Sequence, residues 1–407
     1  MNPQSVSKNK GQCGMSWNIT NRCNLHCKHC LRRCPSLCLP ERELSPFDAL
    51  TVLDLYCDFA REMNFTASVN FLGGNPMMRR DMPDILHRIQ KYREEGLINR
   101  VSFLANSEQL TPAMIQALAD CKTDSYSISL DGLKEMNDYM RGAGNFDSAV
   151  SAIRNLRQAG IRVPVKFTLT KENRSELKET ILLALELGCS GFGIGQLALQ
   201  GGGYVFKNLA LSAAEYREFL IDIVDIAISI PTAHFDFACG LFNRYGNQIE
   251  MIYREENRLA EFEALCRRFP EPDDYLDGFS FGSRHKPQEL RDLFRTSFYV
   301  WPDGEVNPGH RGNARIGWVP RNTFKELFDL SPYFDDVKRG ITPQMRQQIN
   351  DRVTNICYSC VHKDNCSQRV YSQPDAKRND FNRFAPQDLY PRQCWILEKE
   401  MKDFTIK

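Results

Sequence analysis

The 407-residue sequence predicts an α/β fold: an open, partial (β/α)6 barrel of the TIM-like kind, followed by a small C-terminal domain. Three observations carry this expectation. Short runs rich in Val, Ile and Phe alternate with helical text through the first half of the chain, the mark of repeated strand-helix units around a parallel sheet. The helical stretches begin at hydroxyl-proline caps, Ser45-Pro46 and Thr111-Pro112, and stop at Gly96 and Gly160. Six such units fall short of the eight that close a barrel, so the sheet should stay open, with its chemistry at the strand C-terminal ends.

In chain order, a polar tail at residues 1–15 precedes the barrel at 16–231. Its strands are expected at Ser16–Thr20, Ser68–Leu72, Val101–Ala105, Ser125–Leu130, Val163–Leu169 and Phe192–Gln196. A charged helical connector follows at 232–297. The C-terminal domain, 298–407, opens with a hairpin in which Pro302-Asp303-Gly304 turns between Tyr299-Val300-Trp301 and Glu305-Val306.

The charge balance is 52 Lys and Arg against 51 Asp and Glu, a net +1. That speaks against a nucleic-acid coat or a polybasic membrane anchor. Met1 to Lys10 lacks the apolar core of a secretory signal. The most apolar stretch, Phe219 to Ile230, is broken by Asp222 and Asp225 and is well short of the ~20 residues a membrane span needs. A cytoplasmic protein with no nucleic-acid or membrane partner is expected.

Fifteen cysteines in such a compartment point to metal or redox chemistry, since structural disulfides are rare there. Cys57, Cys121, Cys189, Cys239 and Cys266 are scattered and read as small buried residues. Cys13, Cys23, Cys27, Cys30, Cys34 and Cys38 crowd the beginning, and Cys357, Cys360, Cys366 and Cys394 the end. Cys23, Cys27 and Cys30, separated by three and two residues just after the first strand, put three thiolates on one loop. Iron-sulfur cubanes usually take four cysteines, so a dedicated set of three leaves one iron open to a ligand. The alternative is a closed cluster or zinc site completed by Cys34, which Pro35 follows as in the bacterial ferredoxin run.

Placed here, the three cysteines resemble the signature of the radical S-adenosylmethionine (SAM) superfamily. The resemblance implies a [4Fe-4S] cluster whose open iron chelates the amino and carboxylate groups of SAM, and whose electron cleaves SAM to a 5′-deoxyadenosyl radical. Gly73-Gly74-Asn75-Pro76 is similar to the family's Gly-Gly-Glu-Pro loop, whose glycines let the backbone approach the SAM amino group. Asn75 departs from it, and its amide oxygen is expected to make a weaker or differently oriented contact than a carboxylate. The fourth-strand stretch Ile128-Ser129-Leu130-Asp131-Gly132, followed by Arg141-Gly142, resembles the family's ribose and carboxylate contacts, which assigns Ser129 and Arg141 to SAM. Asp131 either orders that loop or touches a ligand, and His29 either stacks on the adenine or faces solvent.

The C-terminal segment resembles the SPASM extension of peptide-modifying radical SAM enzymes, which carries auxiliary four-iron clusters. The hairpin Trp301 to Val306 matches its lead-in, whereas first-cluster cysteine positions read Pro308-Gly309-His310, Asn322 and Val370. Cys357, Cys360, Cys366 and Cys394 form the complete second set, so the resemblance implies one auxiliary [4Fe-4S] cluster, fully coordinated. A structural zinc is the simpler alternative there.

The expected function is a radical SAM maturase of a ribosomally made precursor peptide, giving a crosslink, an epimer or a backbone excision such as tyramine removal. The early first strand leaves no room for a fused leader-binding domain, so a separate small recognition protein is expected, with an external donor such as flavodoxin or ferredoxin. The alternatives are a radical SAM enzyme acting on a small molecule, a non-catalytic iron-sulfur electron carrier and a zinc-stabilised interaction protein. No catalytic base is identifiable; Glu255, Glu256, Asp273 and Asp274 read as solvated surface.

Overall fold

A computed structural model describes residues 11–30, 43–197, 206–270, 296–308 and 315–331, with Phe334 and Lys338. Cys34, Cys38, Cys357, Cys360, Cys366 and Cys394, and with them the expected auxiliary cluster, lie outside the described residues. Two compact units divide the described chain, one reaching Lys166 and resuming at Thr296, the other covering 167–197 and 206–270.

In the first unit, β1 (Gly11–Thr20), β2 (Phe65–Gly73), β3 (Ile98–Ala105), β4 (Ser125–Ser129) and the start of β5 (Pro164–Leu169) are parallel neighbours in chain order. Between them run α1 (Pro46–Glu62), α2 (Met82–Glu94), α3 (Pro112–Asp120), α4 (Lys134–Arg141) and α5 (Asn145–Gln158). The expected caps are in place: Ser45 accepts from Asp48 N and Thr111 from Met114 N, each before a proline at the helix start.

Strand alternation separates two chemistries. On one face Trp17, Phe71, Phe103 and Tyr126 stack in a ladder with centroids 5.7, 4.7 and 5.6 Å apart, all buried. On that side Phe59 of α1 meets Phe65 of β2 and, at 5.4 Å, Phe298. The opposite face is mostly polar: Ser16 is registered with Asn70, Asn70 with Ser102, the apolar Leu104 with Ser127, and Ser129 with Lys166. Cys13, Cys57, Cys121, Cys189 and Cys239 are buried, and Cys266 is partly exposed. Burial pushes the Cys13 and Cys121 thiols up to about 12, so they stay protonated.

The hairpin expected at the start of the C-terminal domain is present as β7 (Thr296–Val300) and β8 (Glu305–Pro308), with β9 (Gly317–Trp318) beyond it. Its partner is unexpected. β7 pairs parallel with β1, Met15 opposite Phe298 and Trp17 opposite Val300, and so continues the barrel's own sheet. The cause is Phe298, fully buried between Phe59, Phe334 and Phe324 of α10 (Phe324–Leu330).

The second unit holds the end of β5, α6 (Leu177–Glu186), β6 (Gly191–Gln196), α7 (Ala213–Ser229), α8 (Phe235–Glu255) and α9 (Leu259–Arg268). The first part of the expected connector is thus helical, and Tyr245 of α8 donates to Ile194 O of β6 at 2.7 Å. A capping box starts α7: Ser212 accepts from Glu215 N while Glu215 accepts from Ser212 N. The backbone and hydroxyl of Ser212, then Lys171, hold the Glu215 carboxyl down to about 2. Its stabilisation is therefore complete above the ordinary carboxylate value and is lost as pH falls toward 2. Ser212→Ala is expected to cost about 1 kcal/mol in a denaturant titration at neutral pH, and less below pH 3. Among the described residues no helix is long and apolar enough to cross a membrane.

Candidate active site

The loop after β1 is held by residues that sequence reasoning missed. Glu43 accepts from Thr20 Oγ1 and Asn21 N, both at 2.7 Å, and from Arg22 Nε at 3.1 Å. Arg79, buried and paired with Asp81, donates to Ile19 O and Leu44 O at 3.2 Å. On the other side Lys28 N donates to Met140 O of α4 at 2.9 Å, and Lys28 Nζ lies 3.1 Å from the Tyr139 ring centroid. Both ends of the loop are therefore anchored to rigid elements.

Cys27 is buried, and Cys23 and Cys30 are partly so. Cys27 feels the charge of both Cys30 and Cys23, and Cys23 that of Cys30. Burial pushes the Cys23 thiol up and that of Cys27 to about 11, with Arg141 pulling Cys27 back. Such thiols become thiolates when a metal displaces the proton. Arg141 Nη1 lies 3.9 Å from Cys27 Sγ, and Asn106 Nδ2 lies 3.6 Å from Cys23 Sγ. Among the described residues no three His, Cys, Asp or Glu side chains converge on a single ion. A cubane binds each cysteine to a different iron, so three soft donors spread along one anchored loop, with donors aimed at two sulfurs, fit a cluster.

The glycines of the Gly73 to Pro76 loop answer to the protein itself. Gly74 N donates to Thr20 O and Asn75 N to Arg22 O, each at 2.8 Å. A Cβ on Gly74 would stand 2.2 Å from Arg22 O and 2.8 Å from Asn21 O, and Gly73 has φ +142°. The close approach is to the cysteine loop's backbone, which cannot yield without moving the cysteines. Gly74→Ala is expected to weaken SAM binding at least tenfold, about 1.4 kcal/mol, by equilibrium dialysis.

Asn75 is fully buried, and both ends of its amide are engaged. Its Oδ1 accepts from Met77 N at 3.2 Å, and its Nδ2 faces Asn106 Oδ1 at 2.8 Å and Asn24 Oδ1 at 3.2 Å. The oxygen expected to meet the SAM amino group thus gives one of its two lone pairs to the backbone. Pro76 is buried at the start of the short turn Pro76–Met78. Asn24 and Asn106 are further site residues that sequence reasoning missed. Asn106, directly after β3, stands at a strand C-terminal end, the one positional signal that marks it.

Asp131, wholly buried, centres a charge cluster. Its Oδ2 lies 2.7 Å from Arg141 Nε and 3.2 Å from His29 Nε2, and Arg141 Nη2 is 3.5 Å from His29 Nε2. His29 does not face solvent: it is 8% exposed, burial lowers its pKa against the pull of Asp131, and its Nδ1 has no partner among the described residues. Ser129 stands partly exposed at the end of β4. Cys23, Cys27, Cys30, His29, Asn75 and Arg141 thus lie within one linked set of contacts.

The family model described as the Radical SAM superfamily matches residues 17–184. Fe-coproporphyrin III synthase of Methanosarcina barkeri is 30% identical over 51% of this chain and 49% of its own. AdoMet-dependent heme synthase of Nitratidesulfovibrio vulgaris is 29% identical over 91% of each chain. Mycofactocin maturase MftC of Mycolicibacterium smegmatis is 32% identical over 50% of each. The chain thus spans about half the length of the first and third of these relatives. In fold it is similar to Streptococcus suis SuiB bound to its precursor peptide SuiA, with TM-score 0.58, 15% identity and coverage of 89% of this chain and 72% of that one. With the anchored three-cysteine loop and the Gly73 to Pro76 loop packed on it, the match over 17–184 identifies that segment of the chain as a radical SAM domain.

Proposed function

We propose that the protein is a radical SAM maturase of a ribosomally made precursor peptide. The observation that carries this reading is the polar face of the sheet. Asn18, Asn70, Ser102, Ser127 and Ser129 offer neutral hydroxyls and amides, with Lys166 as the cation registered beside Ser129. Asn18 is fully buried with neither end of its amide partnered among the described residues. Such a lining suits the amides of a peptide better than several carboxylates, which call for paired Arg or Lys. The similarity to mycofactocin maturase and the fold shared with peptide-bound SuiB support it.

In this reading Cys23, Cys27 and Cys30 hold the open [4Fe-4S] cluster. Gly73, Gly74, Asn75, Pro76, His29, Ser129 and Arg141 surround SAM, and Asp131 fixes the orientation of Arg141. When bound, cluster and SAM together supply the radical that abstracts hydrogen from the substrate. Cys357, Cys360, Cys366 and Cys394 hold one auxiliary cluster in a SPASM-like domain. A small leader-recognition protein, a flavodoxin- or ferredoxin-type donor and a cytoplasmic location complete the reading.

A second reading has its own support, because the match to a heme synthase runs along 91% of both chains. In it the substrate is a small molecule of the tetrapyrrole class. The test is anaerobic turnover of the reconstituted chain with SAM and dithionite, offered either the peptide encoded beside its gene or iron-coproporphyrin. A mass change in the peptide alone supports the maturase, and a change in the tetrapyrrole alone replaces it with the second reading. Cys34→Ala separates both from an electron carrier: a SAM-responsive cluster should survive in the variant, whereas a carrier closed by Cys34 would lose it.

A further inference from the structure

The Cys23 sulfur faces two donors, Leu25 N at 3.5 Å within its own loop and Asn106 Nδ2 at 3.6 Å from beyond β3. An asparagine amide has a donor end and an acceptor end, and its neighbours decide which way it points. Here they agree. Glu108 N donates to Asn106 Oδ1 at 2.9 Å, and Asn75 Nδ2 approaches the same oxygen at 2.8 Å. Both hold the oxygen away from the sulfur, which leaves Nδ2 directed at Cys23 Sγ and, at 3.2 Å, at Asn24 Oδ1. The orientation of Asn75 is fixed in turn, because its Oδ1 takes the Met77 N–H.

Asn75 and Asn106 thus form a directional chain that ends on a cluster ligand, with Asn24 Oδ1 accepting from both. It also accounts for an amide at position 75, where the resemblance would place glutamate: a carboxylate has no hydrogen to give Asn106 Oδ1. With an acceptor at that point, the Asn106 amide would be drawn to reverse and set its oxygen against the sulfur.

The structure assigns Asn106 as a positioning residue that donates to the Cys23 sulfur and raises the reduction potential of the cluster, and Asn75 as the residue that holds Asn106 in that orientation. Hydrogen bonds to cluster sulfurs stabilise the more negative, reduced state, and their loss lowers the potential. The assignment rests on Cys23, Cys27 and Cys30 holding the cluster.

The test compares wild type with Asn106→Leu and Asn75→Leu, both neutral and branched at Cγ as asparagine is, so no new charge enters the site. The midpoint potential of the SAM-responsive cluster is measured by EPR-monitored redox titration, with iron content determined alongside. Asn106→Leu is expected to make reduction about tenfold less favourable, a negative shift of about 59 mV for a one-electron couple. Asn75→Leu, which touches no sulfur, should move the potential in the same direction by less. Variants that keep wild-type iron and wild-type potential overturn the assignment and leave the amides a purely structural role. A wild-type chain without a SAM-responsive cluster would instead overturn the reading on which the assignment rests.

Discussion

Cys27→Ala is expected to reduce 5′-deoxyadenosine formation by more than about 1,000-fold, over 4 kcal/mol at 1.36 kcal/mol per decade. Of the three loop cysteines it is the most buried, and Arg141 Nη1 approaches its sulfur at 3.9 Å. Removing the thiol leaves two donors for a cluster that needs three, and it takes from Arg141 Nη1 the sulfur it faces. No nearby group substitutes: His29 is directed at Asp131, and Asn106 at Cys23. The measurement is anaerobic turnover with SAM and dithionite, quantified by chromatography against wild type. A variant that still holds a SAM-responsive cluster and turns over at a tenth of the wild-type rate would remove Cys27 from the ligand set.

Asp131→Ala is expected to destabilise the fold by about 3–5 kcal/mol, the usual cost of removing one partner from a buried ion pair. Asp131 is 0% exposed and its carboxylate lies 2.7 Å from Arg141 Nε, so the variant strands a buried guanidinium beside His29 and Cys27. Asp131→Asn should cost less, since the amide keeps the shape and one acceptor. The second change Arg141→Met, made in the Asp131→Ala background, should recover a large part of the loss by removing the stranded charge, as a double-mutant cycle would register. Denaturant midpoints of the five proteins, Arg141→Met alone included, give the answer. Equal stability of wild type and Asp131→Ala would mean that the carboxylate does not compensate Arg141.

Local chemistry was legible from the residues alone. Ser45-Pro46 and Thr111-Pro112 start helices because a hydroxyl and a proline act within one turn. The six strands appear where the short apolar runs placed them, each within a few residues, because strands of a covered parallel sheet are buried along most of their length. The three-cysteine loop was legible for the same reason, since its donors lie within eight residues of one another and their spacing is their geometry.

The less legible features depend on partners distant in the chain. The hairpin at Phe298 was read correctly as strands, but its neighbour β1 lies some 280 residues earlier, and only the packing of Phe298 against Phe59 and Phe324 selects it. The family motif says nothing of the protein partners of Asn75, which its surroundings tie to Met77, Asn106 and Asn24. Glu43 and Arg79 carry no local pattern, yet they clamp the cysteine loop through Thr20, Asn21 and Ile19.

From the sequence by itself came the strand-helix order, the helix caps and the identity of the three loop thiols, all properties of neighbouring residues. Only the tertiary structure decided which strand β7 joins, which way the Asn75 and Asn106 amides point and which carboxylate neutralises Arg141. Those are choices among distant partners, set by burial and by the cost of leaving a polar group unpaired.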